Sequence, residues 1–352
     1  MIVDRDDHRA YNAAALNAHC PAAGRVTVQP TPATTTVASL AQDLLYALGK
    51  RLLPGDGYGT WADSLQPAWD AAAAWILAHR IEHVIVTRTD RLTHRRWAQL
   101  SSLQTRTGIR LTMVWHAPPT NALTALLAGL PHQVIEDLEQ ARCILTEPAG
   151  DTGSAQARRV PQRAAWAVRE SDARIAVLAP DRGVVVTRAR RAPCAGADAA
   201  LPAGHTPAAG AVPVPEADAE PGHPLAEELF TRLHRVAHPV YAGALAAAVI
   251  TGLDIDRLAQ IRGVDLDEHA CVLKTHGRTS HHACRIHPVP GWARPLLLAV
   301  AAHHQLSARP VSAALFPMIT MRGGNELTTH ADACGVNLAR RADTPRTRQP
   351  SR

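Results

Sequence analysis

The stretch that organises this chain reads Thr251-Gly252-Leu253-Asp254-Ile255-Asp256-Arg257-Leu258-Ala259-Gln260-Ile261-Arg262-Gly263-Val264-Asp265-Leu266-Asp267. Upstream of it lies an apolar helix whose first turn can hold Pro239 and which ends near Gly252. A short helix over Asp256 to Ile261 follows. From Val264 to Pro290 the pattern is that of strands, with turns at Asp267-Glu268 and His276-Gly277. Leu225 to Val236 and Trp292 to Leu306 have helical spacing, Leu315-Phe316-Pro317 is a short apolar contact, and Asn325 to Ala339 reads as a final helix. A mainly helical domain with a β-hairpin is therefore expected over residues 223–342, followed by a disordered tail at 343–352.

The same residues resemble, without a gap, the first conserved box of the tyrosine recombinases (phage-type integrases). The resemblance extends over about 225–338: Val272-Leu273-Lys274-Thr275 places Lys274 at the family's hairpin lysine, and His287-Pro288-Val289-Pro290 resembles the close of that hairpin. It implies an integrase catalytic-core-like fold that has lost its chemistry. The family's first catalytic arginine follows Thr-Gly-Leu, and Asp254 stands there instead, where its charge would repel a phosphate. Strand cleavage in the family needs a tyrosine nucleophile and a cationic cradle for the phosphate. Tyr11, Tyr46, Tyr58 and Tyr241 all precede or lie outside the box, and His330 is followed by Ala331-Asp332-Ala333 in place of His-x-x-Arg. The implied protein is a truncated pseudoenzyme with no catalytic residues, which binds DNA in integration or recombination, with Lys274, Arg257, Arg262 and Arg278 as phosphate contacts.

The first 147 residues alternate strands and helices. Arg25-Val26-Thr27-Val28, His83 to Thr87 and Ile109 to Val114 read as strands; Thr36 to Arg51, Leu65 to His79 and Thr93 to Thr107 read as helices. That order predicts a mainly parallel sheet in an α/β domain over 1–147. The second and third strands are similar to the Walker B and sensor strands of AAA-type transposition ATPases. Thr87 and Arg88 occupy the places of the acids that would hold Mg²⁺, and the loop after Val28 has no glycine or lysine. Pro30 and Pro32 also remove backbone N–H donors that a phosphate cradle uses. The domain is thus P-loop-like but degenerate, and nucleotide hydrolysis is not expected. An alternative function follows: an ATPase-like regulator of a mobile element that works through protein contacts.

Between the halves, 148–222 is arginine-rich and then rich in Ala, Pro and Gly, a composition that suits a linker. One hairpin is conceivable there, over Ile175 to Val186. The chain carries 37 basic and 31 acidic residues, a net charge of +6 that mildly favours a nucleic-acid partner. Six scattered cysteines fit reduced thiols, the acidic opening MIVDRDDHRAYN does not suit a secretion signal, and no apolar run reaches membrane-spanning length. A cytoplasmic protein with DNA or protein partners and no membrane is expected. Cys271, His276, His281, His282, Cys284 and His287 crowd the hairpin, but only Cys284-x-x-His287 forms a close pair. No metal and no cofactor are therefore expected.

Overall fold

A computed structural model describes residues 1–32, 38–53, 61–128, 131–147, 224–276, 284–317, 323–336 and 338. The elements in chain order are β1 (Ile2–Val3), α1 (Arg9–Asn17), β2 (Arg25–Val28), α2 (Ser39–Ala47), α3 (Leu65–Ala78), β3 (His83–Val86), α4 (His94–Thr107), β4 (Arg110–Trp115), α5 (Asn121–Leu127) and α6 (Leu138–Thr146). After the undescribed stretch come α7 (Pro224–Arg235), α8 (Pro239–Thr251), α9 (Ile255–Leu258), β5 (Val272–Thr275), β6 (Arg285–Pro288), α10 (Arg294–Leu306) and α11 (Gly323–Cys334).

The first four strands form one parallel sheet in the order β1-β4-β3-β2. Every residue of β3 is buried, as expected for a strand covered on both faces by crossover helices. The expected α/β architecture is present, and the three predicted strands lie where their apolar runs end in turn residues. The predicted helix from Thr36 is shorter at both ends. Residues 33–37 lie outside the described residues, and Gly49 turns the chain with φ +76°. The possible hairpin at 175–186 also lies outside the described residues.

Side chains alternate across the sheet. Ile2, Ile85 and Val114 face α1 and α6, in a cluster with Ala15, Ala18, Ala141 and Leu145. Val3, Val84, Val86, Met113 and Trp115 point the other way, into the larger cluster. Trp69, Trp75 and Trp97 are buried there, so these indoles act as core anchors.

That larger cluster continues through α8 and α10 to Leu338, so the first and last segments share one core. Specific bonds fasten the join. The indole of Trp75 donates to the carbonyl of Ala237 at 2.7 Å, and the Arg51 N–H donates to the carbonyl of Arg235 at 2.6 Å. Helix α8 is apolar all round because it is covered all round, with residues 239–248 buried. Gly243 lets α10 approach it: a Cβ there would collide with Cγ2 of Val300. The expected hairpin is β5–β6, antiparallel, with Lys274 opposite Ile286. Trp292 anchors the same end by stacking on Phe230, ring centroids 4.3 Å apart. Among the described residues no helix is long and apolar enough to cross a membrane.

Candidate functional site

Helix α1, which follows β1, packs on one face of the sheet, and α5, which follows β4, packs into the cluster on the other, so the connections leaving these neighbouring strands diverge at their C-terminal ends. That is the crevice where open parallel sheets bind ligands. The two strands run in register there, Val3 beside Trp115, and the Asp4 N–H donates to the Trp115 carbonyl at 2.8 Å. The next residues out are therefore neighbours: Asp4 from β1 and His116 from β4.

The His116 ring is fully buried, with Nδ1 3.0 Å from Asp4 Oδ2 and 3.5 Å from Asp7 Oδ1. Asp4 is equally enclosed, and its other oxygen accepts the His8 N–H at 2.9 Å. The backbone N–H of His116 donates to Asp90 Oδ1 at 3.1 Å, which ties the cluster to the turn after β3. Asp7 is half exposed, and Arg88 donates to it at 2.5 Å. That hydrogen bond holds the Asp7 carboxyl below the usual carboxylate range. Asp7 and Arg88 both have left-handed backbone, at φ 52° and 54°, a conformation that L residues adopt at a cost. Thr87, beside them, is fully buried and its hydroxyl has no hydrogen-bond partner; neither has His116 Nε2. Alternation places Thr87 on the same sheet face as Ile85, the face of His116 and Asp4.

Asp4, Asp7 and His116 form the group of ligand-type side chains, among the described residues, whose donor atoms lie within 4.8 Å of one another. None of these residues was among the candidate site residues read from the sequence. Their one local signal is the run of acids in Asp4-Arg5-Asp6-Asp7 straight after an apolar pair.

The residues singled out in the sequence are arranged differently. Asp254 is the N-cap of α9, its carboxylate accepting the Arg257 N–H at 2.9 Å. Arg257 is half-buried on that helix and Arg262 is exposed beyond it. Asp265 accepts the Arg262 N–H at 2.9 Å and pairs through its other oxygen with His276 Nε2 at 2.7 Å. This brings the turn after α9 against the end of β5, on which Lys274 is half-buried. Arg278 lies outside the described residues. So do His281 and His282, and among the described residues the hairpin's Cys271, His276, Cys284 and His287 do not gather as a three-ligand group.

A third polar feature lies at the join of the two segments. Lys50 is 2% exposed, its ammonium 3.3 Å from the centre of the Trp75 ring and 2.7 Å from the His234 carbonyl. It lines a cavity of about 350 Å³ with His79, Phe230 and His234. Burial pulls the Lys50 ammonium down to about 7. Burial, and then the charge of Lys50, takes His79 to about 3.

No protein-family model, no curated protein and no solved structure matches this chain.

Proposed function

We propose that this protein is a non-catalytic, DNA-binding accessory or regulatory component of an integration or recombination system. The observation that carries the reading is the role of Asp254. Where a strand-cutting relative would present a cation to phosphate, this chain has a carboxylate occupied in capping α9. Tyr241 adds to this: it is 1% exposed, and its hydroxyl is engaged in donating to the Glu326 carboxylate. Arg257, Arg262 and Lys274 retain accessible charge along the helix, turn and hairpin that follow, and can neutralise phosphates.

The test is a gel-shift titration of the full chain on duplex DNA at 50 and 200 mM salt, with plasmid relaxation measured alongside. Retarded duplex at 50 mM salt, weakened about 10-fold or more at 200 mM, with no relaxation, is the expected result; a few phosphate contacts produce that slope. Relaxation of supercoiled plasmid, or no retardation up to about 100 µM protein, the weak end of non-specific affinities, would overturn the reading. Nucleotide binding without DNA binding would instead favour the ATPase-like regulator.

A further inference from the structure

We propose that Asp4, Asp7 and His116 form a divalent-cation site at the C-terminal edge of the parallel sheet, specific for a first-row transition ion such as Mn²⁺ or Zn²⁺. The spacing of the donors already suits one shared ion. Ligand atoms about 2.1 Å from a metal lie roughly 3.0 Å apart at a right angle and about 3.4 Å apart at the tetrahedral angle. Nδ1 of His116 is 3.0 Å from Asp4 Oδ2 and 3.5 Å from Asp7 Oδ1, and all three donors fall within 4.8 Å.

Burial gives a second, independent argument. Asp4 is 2% exposed and the His116 ring is enclosed, while Asp7 opens to solvent on one side. A buried carboxylate calls for a partner charge. Arg88, the guanidinium of the cluster, reaches Asp7 and not Asp4, whose partners are the His8 N–H and the His116 ring. Thr87, on the same sheet face, is fully buried with an unpartnered hydroxyl, so this edge of the sheet holds polar capacity that the protein's own hydrogen bonds leave unused.

The donor set selects the ion. One imidazole and two carboxylates suit Mn²⁺ or Zn²⁺, whereas Mg²⁺ prefers an all-oxygen octahedron and keeps its water. Asp7, exposed, is the side from which water or an anionic ligand would complete the shell. Arg88 competes with the ion for Asp7 in the metal-free state.

The experiment is a titration of the full-length protein with each metal salt alone. Mn²⁺ is followed by loss of its free-ion paramagnetic resonance signal, Zn²⁺ and Mg²⁺ by calorimetry. One Mn²⁺ or Zn²⁺ per chain is expected, with Mg²⁺ at least about 10-fold weaker. Asp7→Asn, at an exposed position that leaves the core intact, should weaken Mn²⁺ at least about 10-fold, and His116→Gln should do the same. Arg88→Gln should tighten it, because a competitor for Asp7 is gone; a merely structural ion pair would not produce that gain. Glu228→Gln, an exposed carboxylate on α7, should change nothing. The thermal midpoint of each metal-free variant, followed by circular dichroism, identifies any that fails to fold. Equal affinity for Mn²⁺ in the wild type and Asp7→Asn, or binding that Glu228→Gln reduces as much as His116→Gln does, would overturn the proposal.

Discussion

The edge of the parallel sheet and the capped turn before the hairpin both concentrate acids and bases, yet they hold them in opposite ways. At the sheet edge, strand pairing brings Asp4 beside His116 across 112 residues of sequence, and the groups end up buried and facing one another. In the turn, Asp254 and Asp265 bond to backbone three residues away, Asp265 also holds the His276 ring, and Arg262 is exposed while Arg257 is half-buried. Long-range pairing creates an enclosed polar cluster, whereas local capping satisfies acids in place. One chain therefore holds two differently built polar clusters, joined by a single apolar core.

That shared core offers the largest way to break the comparison. Gly243→Ala forces a methyl group into Val300 where α8 and α10 touch, and should destabilise the whole protein by about 3 kcal/mol, at the upper end of overpacking costs. Denaturant unfolding followed by both tryptophan fluorescence and far-ultraviolet circular dichroism should move together. Separate transitions would show that the sheet and the hairpin segment unfold independently.

The next effect comes from Lys50 at the join. Its folded pKa of about 7 lies below the unfolded value of 10.5, so between those values the unfolded chain binds the extra proton. Stability should accordingly rise with pH from about 7 upward, by at most about 1.4 kcal/mol per unit, and be flat with respect to this group below 7. Lys50→Met, which keeps the length and the contact with Trp75, should abolish that alkaline rise. Chemical denaturation at pH 7, 8 and 9 checks the slope.

A smaller effect is expected at the turn. Asp254→Ala removes the cap of α9 and should cost about 1 kcal/mol in the same denaturation assay. A loss several times larger would mean that Asp254 does more than cap, and the contrast between local and long-range acids would have to be redrawn.

These features were unevenly legible in the sequence. The strands at Arg25–Val28, His83–Val86 and Arg110–Trp115 stand out as short apolar runs bounded by turn residues, and α3 and α4 as clear helical periods. Strand β1 is only two residues long, too short for any period, and it exists because β4 offers it an edge. The Asp4, Asp7 and His116 group was hidden for the same reason, since no local spacing connects residues that the sheet brings together. Helices α1, α5 and α6 are short, at nine, seven and nine residues, and lie outside the helices read from the sequence. The cap at Asp254 was legible in principle, as an aspartate directly before a helical run. Comparison with an arginine-bearing motif directed the reading to the missing charge and away from the backbone N–H that the carboxylate satisfies.

The central claim is that position 254 separates a DNA-binding surface from a DNA-cutting one, and restoring the cation tests it most directly. Full-length Asp254→Arg should bind duplex more tightly than the wild type and raise the magnitude of the salt slope by about one, the increment for one added phosphate contact, despite losing the cap. Unchanged or weaker binding in a folded Asp254→Arg protein would contradict the account, because the turn would then lie away from any duplex.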